Sequence, residues 1–370
     1  MTTERNNISV DLIRILAIFI IIMLHTASWY ILEGTFLKTE GMIYSFLQDG
    51  IPLLWYAVGM SLFHKDNTIK NSVISTGKHI VLPALVYVFL SSMLAPWLAG
   101  KTAVIDCLSP ANVNWRGIAG SIVKGSTSGL PMGGHLWFVF SYIKLMLWFP
   151  LLRYICADDK KANAVRRYLI LLALLSELAA DAQQFIKLPT GNISVFTILN
   201  SDLLYVMLGY ELSLWVDTLR TKKLLVFCTG SAVFFAANLS RFVVTRWFHA
   251  SGNAYETFMH IEHIVSVFSS MGLAAAIMMI EPGNNTVRKL ISKLADYSFL
   301  MYLAHWAVFN RMASAGKRAL IYDKMYGNAL IKLTATVYYG LIVFAVTLAV
   351  AVAARAIYRF CKTLVLGRQA

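Results

Sequence analysis

Apolar residues gather into ten runs, at about 10–32, 43–63, 79–99, 136–155, 166–183, 194–215, 223–240, 258–280, 294–313 and 330–354. A helix crossing a ~30 Å hydrocarbon core needs about 20 such residues, and most of the runs reach that length. None alternates apolar with polar positions as a transmembrane β-strand would. The pattern predicts an all-α integral membrane protein of about ten transmembrane helices in one bundle. Glu177 interrupts the fifth run and the seventh is short, so these two carry the weakest signal. The first run is too long for a signal-peptide core and no small-residue cleavage site follows it. No internal repeat or low-complexity linker divides the chain, so residues 1–370 read as one membrane-embedded domain. The longest polar connection, about 100–135, is expected to fold over one mouth of the bundle.

Composition agrees with the pattern: of 370 residues, 58% are apolar and only 14% charged, which is too apolar for a soluble chain of this length. The charges that remain orient it. With the N-terminus inside, 19 of the 33 Lys and Arg fall on internal connections, 12 on external ones, and Arg14 and Lys144 within helices. The bias places both termini in the cytoplasm. The net charge of +14 is scattered over short loops without a basic groove or aromatic platform, so it points away from nucleic acid as a partner. Cys107, Cys156, Cys228 and Cys361 show no ligand spacing, and neither a disulfide nor a metal is expected.

Ionisable groups inside a membrane helix are costly and mark functional positions. In the first run, Arg14 and His25 lie eleven residues apart, a rotation of three turns plus roughly 20°, so they share one helix face about 16 Å apart. Asp11 lies one turn before Arg14 and is placed to pair with it. By the assigned directions, His25, His135, Asn200, Asp202, Glu262, His263 and His305 fall in the outer third of five helices. This convergence implies a cavity open to the outside, with a narrower route inward past Arg14. Histidine is the natural proton acceptor near neutral pH, and such a site suits a base that deprotonates an alcohol. Lone membrane histidines also serve as helix-to-helix hydrogen-bonding groups, a reading that fits His135 and His263 at least as well. Arg14 also has a snorkelling reading, and Lys144 with Glu177 reads as a structural pair.

Three ordered segments resemble bacterial acyltransferase family 3: the Arg-x10-His of SVDLIRILAIFIIIMLHTASWY, GHLWFVFSYIKLMLWFPLL at 134–152, and YSFLMYLAHWAVF at 297–309. The resemblance implies an integral enzyme of the bacterial inner membrane. Such an enzyme takes acetyl groups from cytoplasmic acetyl-CoA and O-acetylates a surface glycan or its lipid-linked precursor. It assigns His25 as base, with Arg14, Tyr302 and His305 in the catalytic set. The resemblance also carries roles to His135, Trp137 and Ser298 on the acceptor side, which Asn200, Asp202 and Glu262 join by depth alone; Asp11, Lys65 and Lys78 join Arg14 at the acyl-CoA by position and charge. The chain departs from the family pattern at Val58-Gly59, where a Ser-Gly is usual, and at Lys78-His79, where the approach to the third run is usually Arg-rich. Transfer of succinyl or another acyl group, or to a small glycoside, keeps the same fold. A transporter would show inverted repeats and paired broken helices, and neither is evident.

Overall fold

The computed structural model describes residues 2–31, 39–63, 68–107, 109–130, 132–157, 159–186, 201–250, 263–314 and 329–366. Among these, every regular element is a helix. The α-helices are α1 (Thr2–Ile31), α2 (Thr39–Phe46), α3 (Gly50–Leu62), α4 (Ile69–Thr76), α5 (Leu82–Met93), α6 (Ala95–Leu98), α7 (Val104–Cys107), α8 (Trp115–Lys124) and α9 (Trp137–Leu147). They continue as α10 (Phe149–Ile155), α11 (Lys160–Ile186), α12 (Ser201–Arg220), α13 (Lys223–Ala250), α14 (Ile264–Met278), α15 (Asn285–Ala295), α16 (Ser298–Ser314) and α17 (Ala329–Leu366).

Four helical stretches are long and apolar enough to cross a membrane: Ile8–Ala27, Ile69–Met93, Lys223–Trp247 and Leu333–Cys361. A fifth is added if Gly134–Leu147 and Phe149–Ile155 form one broken span. The chain is thus a helical membrane protein. The other apolar runs overlap helices that fall short of a span for physical reasons. The second run breaks into α2 and α3 at residues 47–49, α14 has 15 residues, and α16 has 17. In α11 the charges of Arg166, Arg167, Glu177 and Asp181 dilute the apolar stretch. The third run also starts earlier than its hydropathy suggests, at Ile69, because the helix continues through the polar α4 and a π turn at Gly77–Val81. Pro83 lacks the N–H that would reach back one turn and its ring crowds that carbonyl, which widens the helix just before it.

The chain divides into two compact units, each made of two segments. The first combines Met1–Ile69 with Leu145–Ala295. In it α1 packs against α3, α14 and α15, α3 against α12, and α13 against α14. The α3–α12 contact is backbone to backbone: a Cβ on Gly59 would stand 2.0 Å from the Val206 carbonyl oxygen, and one on Gly209 would stand 2.4 Å from that of Tyr56. Only glycine lets α3 and α12 approach so closely. The second unit combines Lys70–Lys144 with Asp296–Ala370, where α16 packs against α5, α6 and α17. The polar 100–135 connection belongs to this unit and carries α7 and α8. It is pinned to α5 by a hydrogen bond from the Asn114 backbone N–H to Ser92 Oγ, 3.0 Å.

Candidate functional site

In the first unit, the N-terminal third of α1 is bound to its neighbours by polar contacts. Arg14 Nη2 donates to Ser61 Oγ at the end of α3, 3.3 Å, and Nη1 lies 3.9 Å from Asp11 Oδ1. Asp11 Oδ2 accepts a 2.6 Å hydrogen bond from Ser292 of α15. Arg220, the last residue of α12, donates to Ser9, 3.2 Å, and pairs with Glu281, which also lies 3.6 Å from Lys223. The connections that the Lys/Arg count assigns to the side of the N-terminus thus meet around one end of α1. The Arg14 side chain keeps 37% of its surface exposed while held by two partners. Snorkelling alone does not account for that arrangement, since the guanidinium is anchored to named groups.

His25 lies three turns farther along α1 and is half-buried. One turn before it, the start of α3 presses on α1: a Cβ on Gly50 would stand 2.7 Å from Ile21 and 3.0 Å from the Ala17 carbonyl oxygen. Asp49, the residue preceding α3, opens a buried polar network. Both Asp49 and Arg241 of α13 have no exposed side-chain surface and pair at 3.2 Å. Arg241 also donates to the Ser45 carbonyl, 2.5 Å, Asn238 Oδ1, 2.6 Å, and Ser266 Oγ, 2.9 Å. Asn238 Nδ2 and Ser269 Oγ donate to the other carboxylate oxygen of Asp49. Arg241 therefore satisfies the open carbonyl end of α2 while Asp49 begins α3, so the break in this helix pair is built rather than frayed.

Arg241 follows the 223–240 run directly and is one of the 12 Lys and Arg that the sequence count puts on external connections, because a hydropathy window stops at a charge. The structure corrects this: α13 runs on past it to Ala250. The available signal was spacing, since Asn238, Arg241 and Thr245, all buried, recur on one helical face. Arg166, one of the 19 that the count puts on internal connections, is fully buried, pairs with Glu211 at 2.8 Å and donates to the Ile155 carbonyl, 3.0 Å.

Other expected positions of this unit divide clearly. Asp202 is buried at the start of α12. Its neighbour Ser201 donates to Glu177, 2.9 Å, so Glu177 anchors α11 to α12. His263 Nδ1 meets Asp181 Oδ1 at 2.5 Å, and Asp181 Oδ2 accepts the Ile264 N–H, 3.0 Å. That is the helix-joining reading of His263. Lys65, Asn200 and Glu262 lie outside the described residues.

In the second unit, His135, Tyr302 and His305 are buried together. The His135 and His305 rings lie 4.8 Å apart, and His135 and Tyr302 5.5 Å apart. His135 Nε2 meets the Leu303 carbonyl, 3.1 Å, and His305 Nδ1 meets the Tyr302 carbonyl, 2.6 Å. A carbonyl only accepts, so these contacts put the proton on Nε2 of His135 and on Nδ1 of His305. In the neutral ring, Nε2 of His305 is then the basic nitrogen. The Tyr302 hydroxyl donates to the His135 carbonyl. Ser298, at the start of α16, is half-buried and Trp137 is 38% exposed. Lys78 is exposed on the π turn.

Tyr87 of α5 had not been singled out. Its hydroxyl donates to the Met132 carbonyl, 3.0 Å, and its ring stands edge-on to His135 at 5.6 Å. Met132 has φ +53°, the one positive value at a non-glycine among the described residues. The turn that delivers His135 is held in a conformation L-residues rarely adopt. Nothing in the sequence distinguishes this tyrosine from a core aromatic.

A family model described as an acyltransferase domain matches residues 7–356, a range that takes in every position above. No curated protein matches the chain and no solved structure does.

Proposed function

The chain belongs to acyltransferase family 3 and is a membrane acyltransferase, and from this premise we propose that it is an acetyl-CoA-dependent O-acetyltransferase of a bacterial surface glycan or lipid-linked precursor. In this reading it crosses the inner membrane ten times as one functional domain, with both termini cytoplasmic. The segments HTASWY, HLWF and NSDLLYVMLGYELS resemble the O-acetyltransferase of enterobacterial common antigen, which favours a glycan of that class as acceptor. The observation that carries the proposal is the Arg14–His25 face of α1, with Arg14 fixed by Ser61 and Asp11.

The acyl-CoA approaches from the N-terminal end of α1, with Lys65 and Lys78 at its phosphates and its pantetheine arm passing Arg14. His25 takes the proton of an acceptor hydroxyl, whose oxygen attacks the thioester carbonyl. The C–S bond then breaks and CoA leaves as the thiol, receiving the proton. A donor aimed at the developing oxyanion would be worth roughly 2.7–4 kcal/mol; Tyr302, His305 and Trp137 are the candidates, the first two only once they leave the carbonyls to which they donate at rest. His135, Trp137, Ser298, Asn200, Asp202 and Glu262 address the acceptor. A second reading is favoured by the carbonyl contact of His305, which leaves Nε2 as its basic nitrogen and makes it the rival base.

Membrane vesicles supplied with labelled acetyl-CoA and a lipid-linked glycan test the assignment. His25→Gln should insert normally, keep acetyl-CoA binding and lose transfer by about 10²–10⁴-fold, the usual contribution of a positioned base. Wild-type rates in His25→Gln would make His25 structural and transfer the role to His305.

A further inference from the structure

We infer that α15 (Asn285–Ala295) is an interfacial helix that docks on anionic lipid headgroups at the N-terminal end of the Ile8–Ala27 span. Successive residues of a helix turn by about 100°, and the nine residues of α15 from Val287 to Ala295 sort into three sectors. Arg288, Ser292 and Ala295 face the protein. Ala295 is buried, Arg288 Nε donates to the Pro282 carbonyl, 2.8 Å, and Ser292 donates to Asp11, 2.6 Å. Val287, Leu290, Ile291 and Leu294 form an apolar stripe beside them, in which Val287 is 43% and Leu290 56% exposed. Lys289 and Lys293, one turn apart and both exposed, make the third sector. The helix contains no acidic residue.

Depth identifies the occupant. Asp11 stands one turn inside the Ile8–Ala27 span, so its bond to Ser292 holds α15 at the level where that span meets the headgroups. A helix at this level with an apolar stripe next to a pair of lysines has the composition of an in-plane membrane helix: the stripe enters the acyl boundary and the ammonium groups meet phosphates. In water, Val287 and Leu290 would stay exposed without a reason. A lysine close to an anionic surface gains about fivefold in binding preference. The same Ser292–Asp11 bond connects this seating to the carboxylate beside Arg14.

Amide hydrogen exchange on the full chain, reconstituted in phosphatidylcholine alone or mixed with phosphatidylglycerol, reads the seating without reference to catalysis. The inference needs only a membrane-embedded chain, so its failure would leave the acyl-transfer reading untouched. Exchange across α15 should slow when phosphatidylglycerol is present, with α13 as an unchanged internal control. Lys289→Gln/Lys293→Gln should return α15 to its rate in phosphatidylcholine, about fivefold for each lysine. Leu290→Asn should speed exchange in both lipids. Equal α15 rates in the two lipids for the unaltered chain, or slowing that survives in the double glutamine variant, would overturn the proposal.

Discussion

Replacing Arg241 with methionine keeps a long side chain in α13 and removes every polar contact it makes. The guanidinium donates to the Ser45 carbonyl, Asn238, Ser266 and Asp49, the longest of the four at 3.2 Å. In Arg241→Met, Asp49 keeps only Asn238 and Ser269 among the donors described above, and its charge stays fully buried. Removing one partner of a buried ion pair typically costs about 3–5 kcal/mol, because the other charge is left uncompensated. The Ser45 carbonyl also loses the Arg241 hydrogen bond, worth about 0.5–1.5 kcal/mol, a cost that overlaps the first and does not add to it in full. Unfolding measured in mixed detergent micelles should therefore shift by about 3–5 kcal/mol, roughly a hundred- to a few thousandfold in the equilibrium constant. Asp49→Asn/Arg241→Met, which leaves no charge behind, should recover most of that loss. The reasoning fails if Arg241→Met stays within about 1 kcal/mol of the parent, the ordinary scale for a point substitution. It fails equally if the double variant is no more stable than the single one.

Two further outcomes follow from the α1 face and from the turn before His135. Arg14→Ala should impair transfer from labelled acetyl-CoA with normal membrane insertion, Arg14→Lys should rescue only in part because the planar fork is lost, and Asp11→Asn should show a smaller defect. Full activity in Arg14→Ala would remove Arg14 from the donor route. Tyr87→Phe deletes one hydrogen bond, worth about 0.5–1.5 kcal/mol, and should raise the acceptor KM more than the acetyl-CoA KM. In a His135→Ala background the same change should have no added effect, and independent, additive losses would show that Tyr87 does not act through His135.

The α1 stripe was readable because a 3.6-residue period converts spacing into direction, so Arg14, His25 and Asp11 needed no tertiary information. Tyr302 was legible only through the resemblance of its segment to a family motif, because a tyrosine in an apolar helix carries no signal of its own. Hydropathy failed where charge and burial coexist. Arg241 ended a window although α13 continues through it, and Asp49 disappeared inside an apolar run although it separates α2 from α3. The polar residues of α4 concealed the first eight positions of the Ile69–Met93 helix. Amphipathic α15 left no trace among the apolar runs because its signal is periodic rather than summed. Tyr87 was unreadable in principle, since its role depends on a backbone carbonyl 45 residues away.

Nε2 of His135 and Nδ1 of His305 each meet a main-chain carbonyl of α16, at Leu303 and Tyr302. A carbonyl cannot be deleted by changing a side chain, so these two contacts outlast substitution of the Leu303 and Tyr302 side chains that leaves the helix intact. Drift at Leu303, or even loss of the Tyr302 ring, would alter the walls of the cluster without moving its protons. The second unit therefore fixes these two protons through the backbone, the part of the chain that side-chain substitution does not reach.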